Sequence, residues 1–140
     1  MAHKFDPSKL SKLDDPSRIE LFDPQKTLRE FGLRKGMKVL DVGTGAGFYL
    51  PYLSEAVGEE GKVYAIDVEE KAVEYARAKV EKLGLKNVEV LKSEENHVPL
   101  PDKSIDFVFM AFVFHELENP LEFLRELKRV AKNNAYLAII

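Results

Sequence analysis

Short apolar runs alternate with amphipathic stretches along most of the chain. Five apolar runs predict buried strands, and they cover residues 39–42, 62–67, 87–91, 105–109 and 135–140. Helical periodicity fills the intervals at residues 48–57, at residues 69–83 and after residue 119. Strands that alternate with helices in this way predict a doubly wound α/β domain with a parallel, Rossmann-like sheet.

The first part of the chain differs from the rest because it is polar and contains the dipeptide Asp-Pro three times. Aspartate caps the free N–H groups of a helix start, and proline fits the first helical position. We therefore predict helices that begin near Pro16 and Pro24, the second of which ends at Phe31, before a glycine. This gives two units, an N-terminal helical flap over residues 1–36 and the main domain over residues 37–140.

The composition narrows the classes of function. The chain has 140 residues, which suits one domain, and its 21 basic and 24 acidic side chains leave a net charge of -3. That balance gives no general attraction to nucleic acid, so nucleic-acid binding is not expected. The absence of cysteine excludes disulfides, thiolate metal sites and a cysteine nucleophile. The longest apolar run, residues 107–114, is too short to cross a bilayer, and the first residues form no apolar leader. We therefore expect no membrane contact and a cytoplasmic location.

The motif V-L-D-V-G-T-G-A-G-F at residues 39–48 carries the strongest functional signal. Gly43, Gly45 and Gly47 lie between a predicted strand and a predicted helix, where the backbone turns tightly and a ligand can approach the main chain. The N-terminus of the following helix suits a carboxylate or a phosphate. A glycine-rich turn without a ligand is the alternative. A dinucleotide fingerprint needs its third glycine one residue later, at Phe48, so a nicotinamide-binding oxidoreductase is disfavoured.

The spacing G-x-G-x-G, preceded by Asp41, resembles motif I of the class I S-adenosylmethionine-dependent methyltransferases. The resemblance extends from about Leu33 to Ile140 and is greatest to the small-molecule branch that contains the ubiquinone, menaquinone and arsenite-type enzymes. It implies the strand order 3-2-1-4-5, S-adenosylmethionine as the cofactor and S-adenosylhomocysteine as the product. It also implies a methyltransferase that acts on a small-molecule acceptor.

The resemblance assigns cofactor contacts to individual residues. Asp67 ends the second strand, where its carboxylate can accept the ribose hydroxyls or, alternatively, cap the next helix. Val68 would pack on the adenine face. Glu94 would accept from the adenine amino group, at a position where the family commonly has Gly-Asp-Ala, and a solvated acidic turn is its alternative. Ala111 and Phe112 would line the methionine moiety. The predicted cofactor-binding residues are Asp41, Gly43, Thr44, Gly45, Gly47, Asp67, Val68, Glu94, Ala111 and Phe112.

No residue is assigned a catalytic role. The methyl group of a sulfonium is already activated, so aligning donor and acceptor can account for roughly 7–11 kcal/mol of the barrier. His115 is a weak candidate for a general base, since a packed histidine explains it equally well. A zinc motif that starts with His115 and Glu116 needs a histidine at the position of Asn119, so we predict no metal site. Asp106, which leads into the fourth strand, is expected to be structural.

Two features bear on the acceptor and on the edge of the sheet. An amino-methylating enzyme of the nucleic-acid type would show N-P-P-Y after the fourth strand, where residues 110–113 are M-A-F-V. The family sheet has seven strands, whereas the pattern here supplies five, so strands six and seven are expected to be absent. An apolar fifth strand, residues 135–140, would then form a free edge, and we predict a homo-oligomer that pairs through it.

Two further expectations follow from the same features. A sheet with only five strands keeps open a second function, a non-catalytic module that binds S-adenosylmethionine or S-adenosylhomocysteine without turning it over. Abundant lysine and glutamate without cysteine indicate a thermophilic source.

Overall fold

The computed structural model describes residues 23–111 and 117–140. Within these residues, each strand and helix lies where the hydrophobic pattern predicts one. The elements are α1 (Pro24–Glu30), β1 (Lys38–Val42), α2 (Leu50–Val57), β2 (Lys62–Asp67), α3 (Glu70–Leu83), β3 (Val88–Lys92), β4 (Ile105–Met110), α4 (Pro120–Val130) and β5 (Ala131–Ile139). The helix predicted near Pro16 lies outside the described residues and stays a prediction.

The five strands form one parallel sheet in the order β3-β2-β1-β4-β5, which confirms the predicted fold class and strand order. β1 is central and pairs with β2 on one side and with β4 on the other. The chain changes from one half of the sheet to the other between β3 and β4, so β1 and β4 lead into helices on opposite faces. Doubly wound sheets bind their ligands at this switch point, beyond the carboxyl ends of the strands.

Helices cover both faces of the sheet. On the first face α1, α2 and α3 enclose one core cluster, to which they contribute Leu28, Leu53 and Val73. On the second face α4 buries Phe123 and Leu127 against β1 and β4. Each large apolar side chain buried in this way stabilises the fold by about 1.5–3 kcal/mol. The loops at the carboxyl edge are therefore attached to a closely packed frame.

The helix boundaries follow capping chemistry that is visible in the sequence. Asp23 Oδ1 accepts the N–H groups of Gln25 and Lys26, at 3.1 and 3.3 Å, at the start of α1. Gly84, with φ at +65°, ends α3 in the left-handed conformation. Asn119 Oδ1 accepts a backbone N–H at the start of α4, at 3.2 Å. These three boundaries were all predicted from the residue types.

The described part of the N-terminal unit packs onto α2. Leu28 and Leu33 are both buried in the first-face cluster. The Gln25 side-chain amide donates to the Tyr52 carbonyl and to Glu55 Oε2, both at 3.2 Å. Residues 23–33 therefore contribute to the core of the main domain, and a separate flap over residues 1–36 stays a prediction.

Two boundaries differ from the predicted ones by two residues or more. α2 begins at Leu50, two residues late, because the backbone is still turning after the glycine loop. β5 begins at Ala131, directly after α4 and four residues early. Its pairing is interrupted by a bulge between the pairs Ile105–Ala131 and Phe107–Tyr136. The polar residues in that bulge are exposed at the sheet edge, so an apolar pattern cannot reveal them as strand.

Candidate functional site

The glycine loop between β1 and α2 uses backbone conformations that glycine supplies without steric cost. The angle φ is +67° at Gly43, +54° at Gly45 and +76° at Gly47, a region in which a Cβ crowds the backbone. The N–H groups of Gly43 and Thr44 both donate to the Ile66 carbonyl, at 2.9 and 3.0 Å. The loop therefore folds back over the end of β2.

Asp67, the last residue of β2, ties this loop to the sheet. Its Oδ2 accepts the Gly45 N–H at 3.0 Å, and its Oδ1 accepts the Glu69 N–H at 2.9 Å. Burial raises the pKa of the Asp67 carboxyl, and the N–H donors oppose that effect. Each carboxylate oxygen keeps a second lone pair. Asp67 can therefore fix the loop, support the turn into α3 and still accept a hydroxyl group from a ligand, so its two predicted roles are compatible.

Asp41 is a second carboxyl group near the loop, and it is only 3% exposed. Burial raises the pKa of Asp41 to about 7; the Thr44 hydroxyl lowers it in part, and the negative charge of Asp67 raises it further. The buried Thr44 hydroxyl is close enough to act on Asp41, yet it makes no hydrogen bond of normal geometry within the described residues. Burial thus favours the protonated form of Asp41.

The end of β3 lies beside Asp67. The Ser93 N–H donates to the Asp67 carbonyl at 2.9 Å, and Ser93 is buried. Glu94 follows on the surface, in a turn closed by the His97 N–H, which donates to the Glu94 carbonyl at 3.3 Å. Val68 is 37% exposed. An exposed carboxylate and an exposed apolar side chain therefore flank the loop and Asp67.

The end of β4 completes the edge. Val42 pairs with Met110, so Gly43 and Ala111 follow neighbouring strands. Ala111 is half-buried and packs against the first-face cluster. The structure thus brings all but one of the predicted cofactor-binding residues to one edge of the sheet. The exception, Phe112, lies outside the described residues, as do His115 and Glu116, and their roles stay predictions.

Asp106 lies at the opposite, amino edge of the sheet. Its Oδ2 accepts the Lys38 N–H at 2.8 Å, and its Oδ1 pairs with Lys132 Nζ at 2.9 Å. Burial acts to raise the pKa of Asp106, but the Lys38 N–H and the Lys132 ammonium outweigh it, so the pKa lies below its usual value. Asp106 joins β1, β4 and β5, as its predicted structural role requires.

Sequence reasoning missed a pair of residues on α4. Glu126 and Arg129 bind each other through two hydrogen bonds of 2.8 Å, and both contact the loop between β3 and β4. The available signal was an acid and a base three residues apart on a helix. That spacing is common on exposed helix faces, so it does not indicate that the pair is directed inward at a loop.

Residues 23–111 and 117–140 contain no group of three or more histidines or acidic residues that could hold a metal ion. No helix in those ranges is long and apolar enough to span a membrane.

The carboxyl edge offers the groups that a nucleoside with a polar tail requires. Asp67 provides carboxylate oxygens with unused lone pairs, and Val68 provides apolar surface next to them. The glycine loop places left-handed main chain beside them, with Gly43 half-buried at its start. A Cβ at Gly47 would lie 3.1 Å from Leu50 Cδ1, so the packing of α2 also favours glycine here. Together these groups fit an adenosyl ligand.

Comparison with known proteins identifies the family. A family model described as a methyltransferase domain matches residues 33–140. The crystal structure of an S-adenosylmethionine-dependent methyltransferase from Aquifex aeolicus superposes with a TM-score of 0.96 and is 76% identical, covering 97% of this chain and 72% of that one. The demethylmenaquinone methyltransferase of Geobacillus stearothermophilus is 36% identical over 105 residues, which are 75% of this chain and 45% of that protein. The corresponding enzyme of Listeria welshimeri is 33% identical over 116 residues, 83% of this chain and 49% of that protein.

The chain spans about half the length of the curated relatives it matches. Even so, the family model covers most of the chain, and the fold, the glycine motif and the strand order all agree with it. The chain therefore belongs to the class I S-adenosylmethionine-dependent methyltransferases.

Proposed function

We propose that this chain binds S-adenosylmethionine at the carboxyl edge of its sheet and supports methyl transfer to a small-molecule acceptor of the quinone class. The observation that carries the proposal is the glycine loop, held in left-handed conformations and tied through the Gly45 N–H to Asp67. The quinone class is taken from the two relatives above that methylate demethylmenaquinone.

Each part of the edge has a role in this proposal. Asp67 accepts the ribose hydroxyls, Val68 packs on one face of the adenine, and Glu94 accepts from the adenine amino group. In this proposal the start of the glycine loop, next to Asp41 and Thr44, faces the amino acid tail, and Ala111 and Phe112 line the other side of that tail. Hydrogen bonds to a charged acceptor contribute about 1.5–3 kcal/mol each, so Asp67 is expected to dominate recognition.

Methyl transfer from a sulfonium requires the protein mainly to align the donor with the acceptor. The cofactor supplies a methyl group on a sulfonium, which is activated without a protein acid or base. The chain binds the two reactants, orients them in line and excludes water, and such alignment accounts for roughly 7–11 kcal/mol of barrier. We place the acceptor over the carboxyl ends of β1 and β4, where doubly wound sheets bind ligands.

Calorimetric titration with S-adenosylmethionine, S-adenosylhomocysteine and NAD tests the cofactor site. We expect micromolar binding of the two adenosyl ligands, about −8 kcal/mol, and at least tenfold weaker binding by Asp67→Ala. Asp106→Asn, at the opposite edge, serves as the matched control and should bind within twofold of the unaltered chain. Absence of binding, or preference for NAD, would contradict the proposal.

The alternative is a non-catalytic S-adenosylmethionine-binding module, which would share the cofactor site but would not transfer the methyl group. Incubation with S-adenosylmethionine and a short-chain demethylmenaquinone, followed by mass spectrometry, separates the two functions. A product that is 14 mass units heavier supports the methyltransferase. Tight cofactor binding without any product at stoichiometric enzyme supports the binding module.

Self-association through residues 135–140 is a further part of this proposal. Tyr136 and Leu137 are each 50% exposed, and Ile139 is 44% exposed, on a strand at the edge of the sheet. Apolar edge strands tend to pair with another chain. Light scattering should give twice the monomer mass, and Leu137→Lys should halve it. A monodisperse monomer for the unaltered chain would contradict this.

Three expectations from composition remain proposals. A cytoplasmic location is tested by cell fractionation. Lack of nucleic-acid binding is tested by a shift assay at low salt, where a basic patch would act most strongly. A thermophilic source predicts a melting temperature above about 60 °C, measured by calorimetry, and a lower value would contradict it.

A further inference from the structure

The loop between β3 and β4, residues 93–104, has little regular structure of its own. It begins at the proposed adenine contact, Glu94, and must place that residue although no helix or strand supports it. At its start the Ser93 N–H anchors it to the Asp67 carbonyl, at 2.9 Å. Its middle is held by another element, α4.

Arg129 makes most of these contacts. Its guanidinium donates to the Val98 carbonyl at 2.8 Å, to the Leu100 carbonyl at 3.0 Å and to Asp102 Oδ1 at 2.7 Å. Its remaining bonds go to the two carboxylate oxygens of Glu126. The five donors of an arginine fork have a fixed geometry. A side chain bonded in this way fixes the path of the loop at three positions, Val98, Leu100 and Asp102.

Glu126 supplies the complementary acceptor. Its Oε2 accepts the Val98 N–H at 2.7 Å and lies 3.4 Å from His97 Nδ1, and its side chain is only 12% exposed. The hydrogen bonds from Arg129 lower the pKa of Glu126 to about 2, so the carboxylate stays ionised at any physiological pH. Val98 is therefore held at both its N–H and its carbonyl by one ion pair.

The first turn of α4 contacts the same loop nearer to Glu94. Asn96 Nδ2 donates to Glu122 Oε2 at 3.3 Å, and Asn119 Nδ2 donates to the same oxygen at 2.9 Å. The first turn of α4 therefore holds the loop close to the turn that carries Glu94.

From these contacts we infer that Glu126 and Arg129 are positioning residues for the adenine end of the cofactor site, acting by fixing the turn that carries Glu94. The inference rests on the proposed function, because it assumes an adenine ring beside that turn. The inference goes beyond the proposed function because it assigns the selectivity for adenine to two residues on α4 that do not touch the ligand.

The test compares S-adenosylhomocysteine with its deaminated analogue, in which a carbonyl oxygen replaces the adenine amino group. A fixed Glu94 carboxylate accepts from the amino group but faces another acceptor in the analogue, so the unaltered chain should prefer S-adenosylhomocysteine by at least tenfold. In Arg129→Lys and Glu126→Gln the preference should fall below threefold. A merely structural role would weaken both ligands equally and leave the preference unchanged.

Asp106→Asn is the matched control, since it also removes a carboxylate that accepts a backbone N–H and pairs with a cation. It lies at the amino edge and should keep the tenfold preference. If circular dichroism shows that Arg129→Lys does not fold, Asn96→Ala is the second variant. Asn96 is exposed, and replacing it removes only the hydrogen bond between the turn and Glu122. This variant should reduce the preference two- to threefold.

The outcomes separate the two proposals. If the unaltered chain binds neither ligand, the proposed function fails, and this inference fails with it. If it binds both equally, or if the folded α4 variants keep the tenfold preference, the positioning role is wrong while the cofactor site stands.

Discussion

Aspartate side chains at the two edges of the sheet have pKa values that are shifted in opposite directions. At the carboxyl edge, burial raises the pKa values of Asp41 and Asp67, and neither is paired with a lysine or arginine among the described residues. At the amino edge, Asp106 is paired with Lys132, and its pKa is lowered. The difference separates two tasks, because a paired carboxylate stabilises the fold, whereas an unpaired one keeps its bonding capacity for a ligand and costs stability.

Glycines at the two edges of the sheet also serve different purposes. In the loop after β1 they supply left-handed backbone beside a proposed ligand. At the amino edge Gly61 is required by packing, because a Cβ there would lie 2.4 Å from Val57 Cβ and 2.8 Å from the Met37 carbonyl oxygen. The loop glycines allow a tight turn beside the proposed site, whereas Gly61 lets neighbouring backbone segments pack closely.

Asp41→Asn should give the largest effect and should increase stability. Asp41 is protonated in the folded chain up to about pH 7 but ionises near 3.8 when unfolded, so the unfolded state gains stability as pH rises between these values. About three pKa units correspond to at most about 4 kcal/mol. Urea unfolding should show equal stability near pH 4 and a more stable variant at pH 8. A variant that is less stable at pH 8 would contradict the assigned cost.

Gly61→Ala should destabilise the fold by about 3 kcal/mol, since overpacking of this severity cannot relax against a backbone carbonyl. The melting temperature should fall by about 10 °C. Gly84→Ala, at the end of α3, is the control. Gly84 has φ at +65° and ψ at +37° with nothing within 4 Å of its added Cβ, so only conformational strain of about 1 kcal/mol is expected. Equal losses for the two variants would show that packing does not distinguish them.

Gly45→Ala sharpens the comparison between the edges, because its φ of +54° is close to the +65° of Gly84. Both variants should lose about 1 kcal/mol of stability through backbone strain. Only Gly45→Ala should also weaken S-adenosylhomocysteine binding, by about tenfold, since strain there would shift the backbone N–H that holds the loop to Asp67. Calorimetry on both variants measures this. Equal affinities would mean that the loop conformation does not matter for the ligand.

Asp106→Asn should have the smallest effect, a loss of about 1 kcal/mol at pH 7. The pKa of Asp106 is lowered on folding, so its contribution is present above the unfolded value and is lost as pH falls through the folded one. Urea unfolding at pH 7 and pH 3 should therefore show the difference shrinking on acidification. This trend is the reverse of that for Asp41→Asn, and a parallel trend in the two variants would break the comparison.

The sequence predicted most of the fold because its local signals agree with each other. The bounds of β2 were predicted correctly, and Gly84 and Asn119 end and begin helices as expected. β5 was predicted too short because residues in an exposed bulge have no apolar pattern. The chemistry at Asp41 and the α4 ion pair were less accessible, since a raised pKa depends on burial and Arg129 acts on carbonyl groups about 30 residues away in sequence.

The bulge in β5 affects which insertions and deletions the sheet can accommodate. Between two regular pairs with β4, four residues of β5 lie opposite the single residue Asp106. A single-residue insertion in a regular strand turns every later side chain to the other face. Here residues 132–135 already make no regular pairs with β4, and the ion pair between Lys132 and Asp106 fixes the start of this bulge. Insertions or deletions between homologues can therefore be absorbed at this point while Tyr136 and Ala138 keep their side of the sheet.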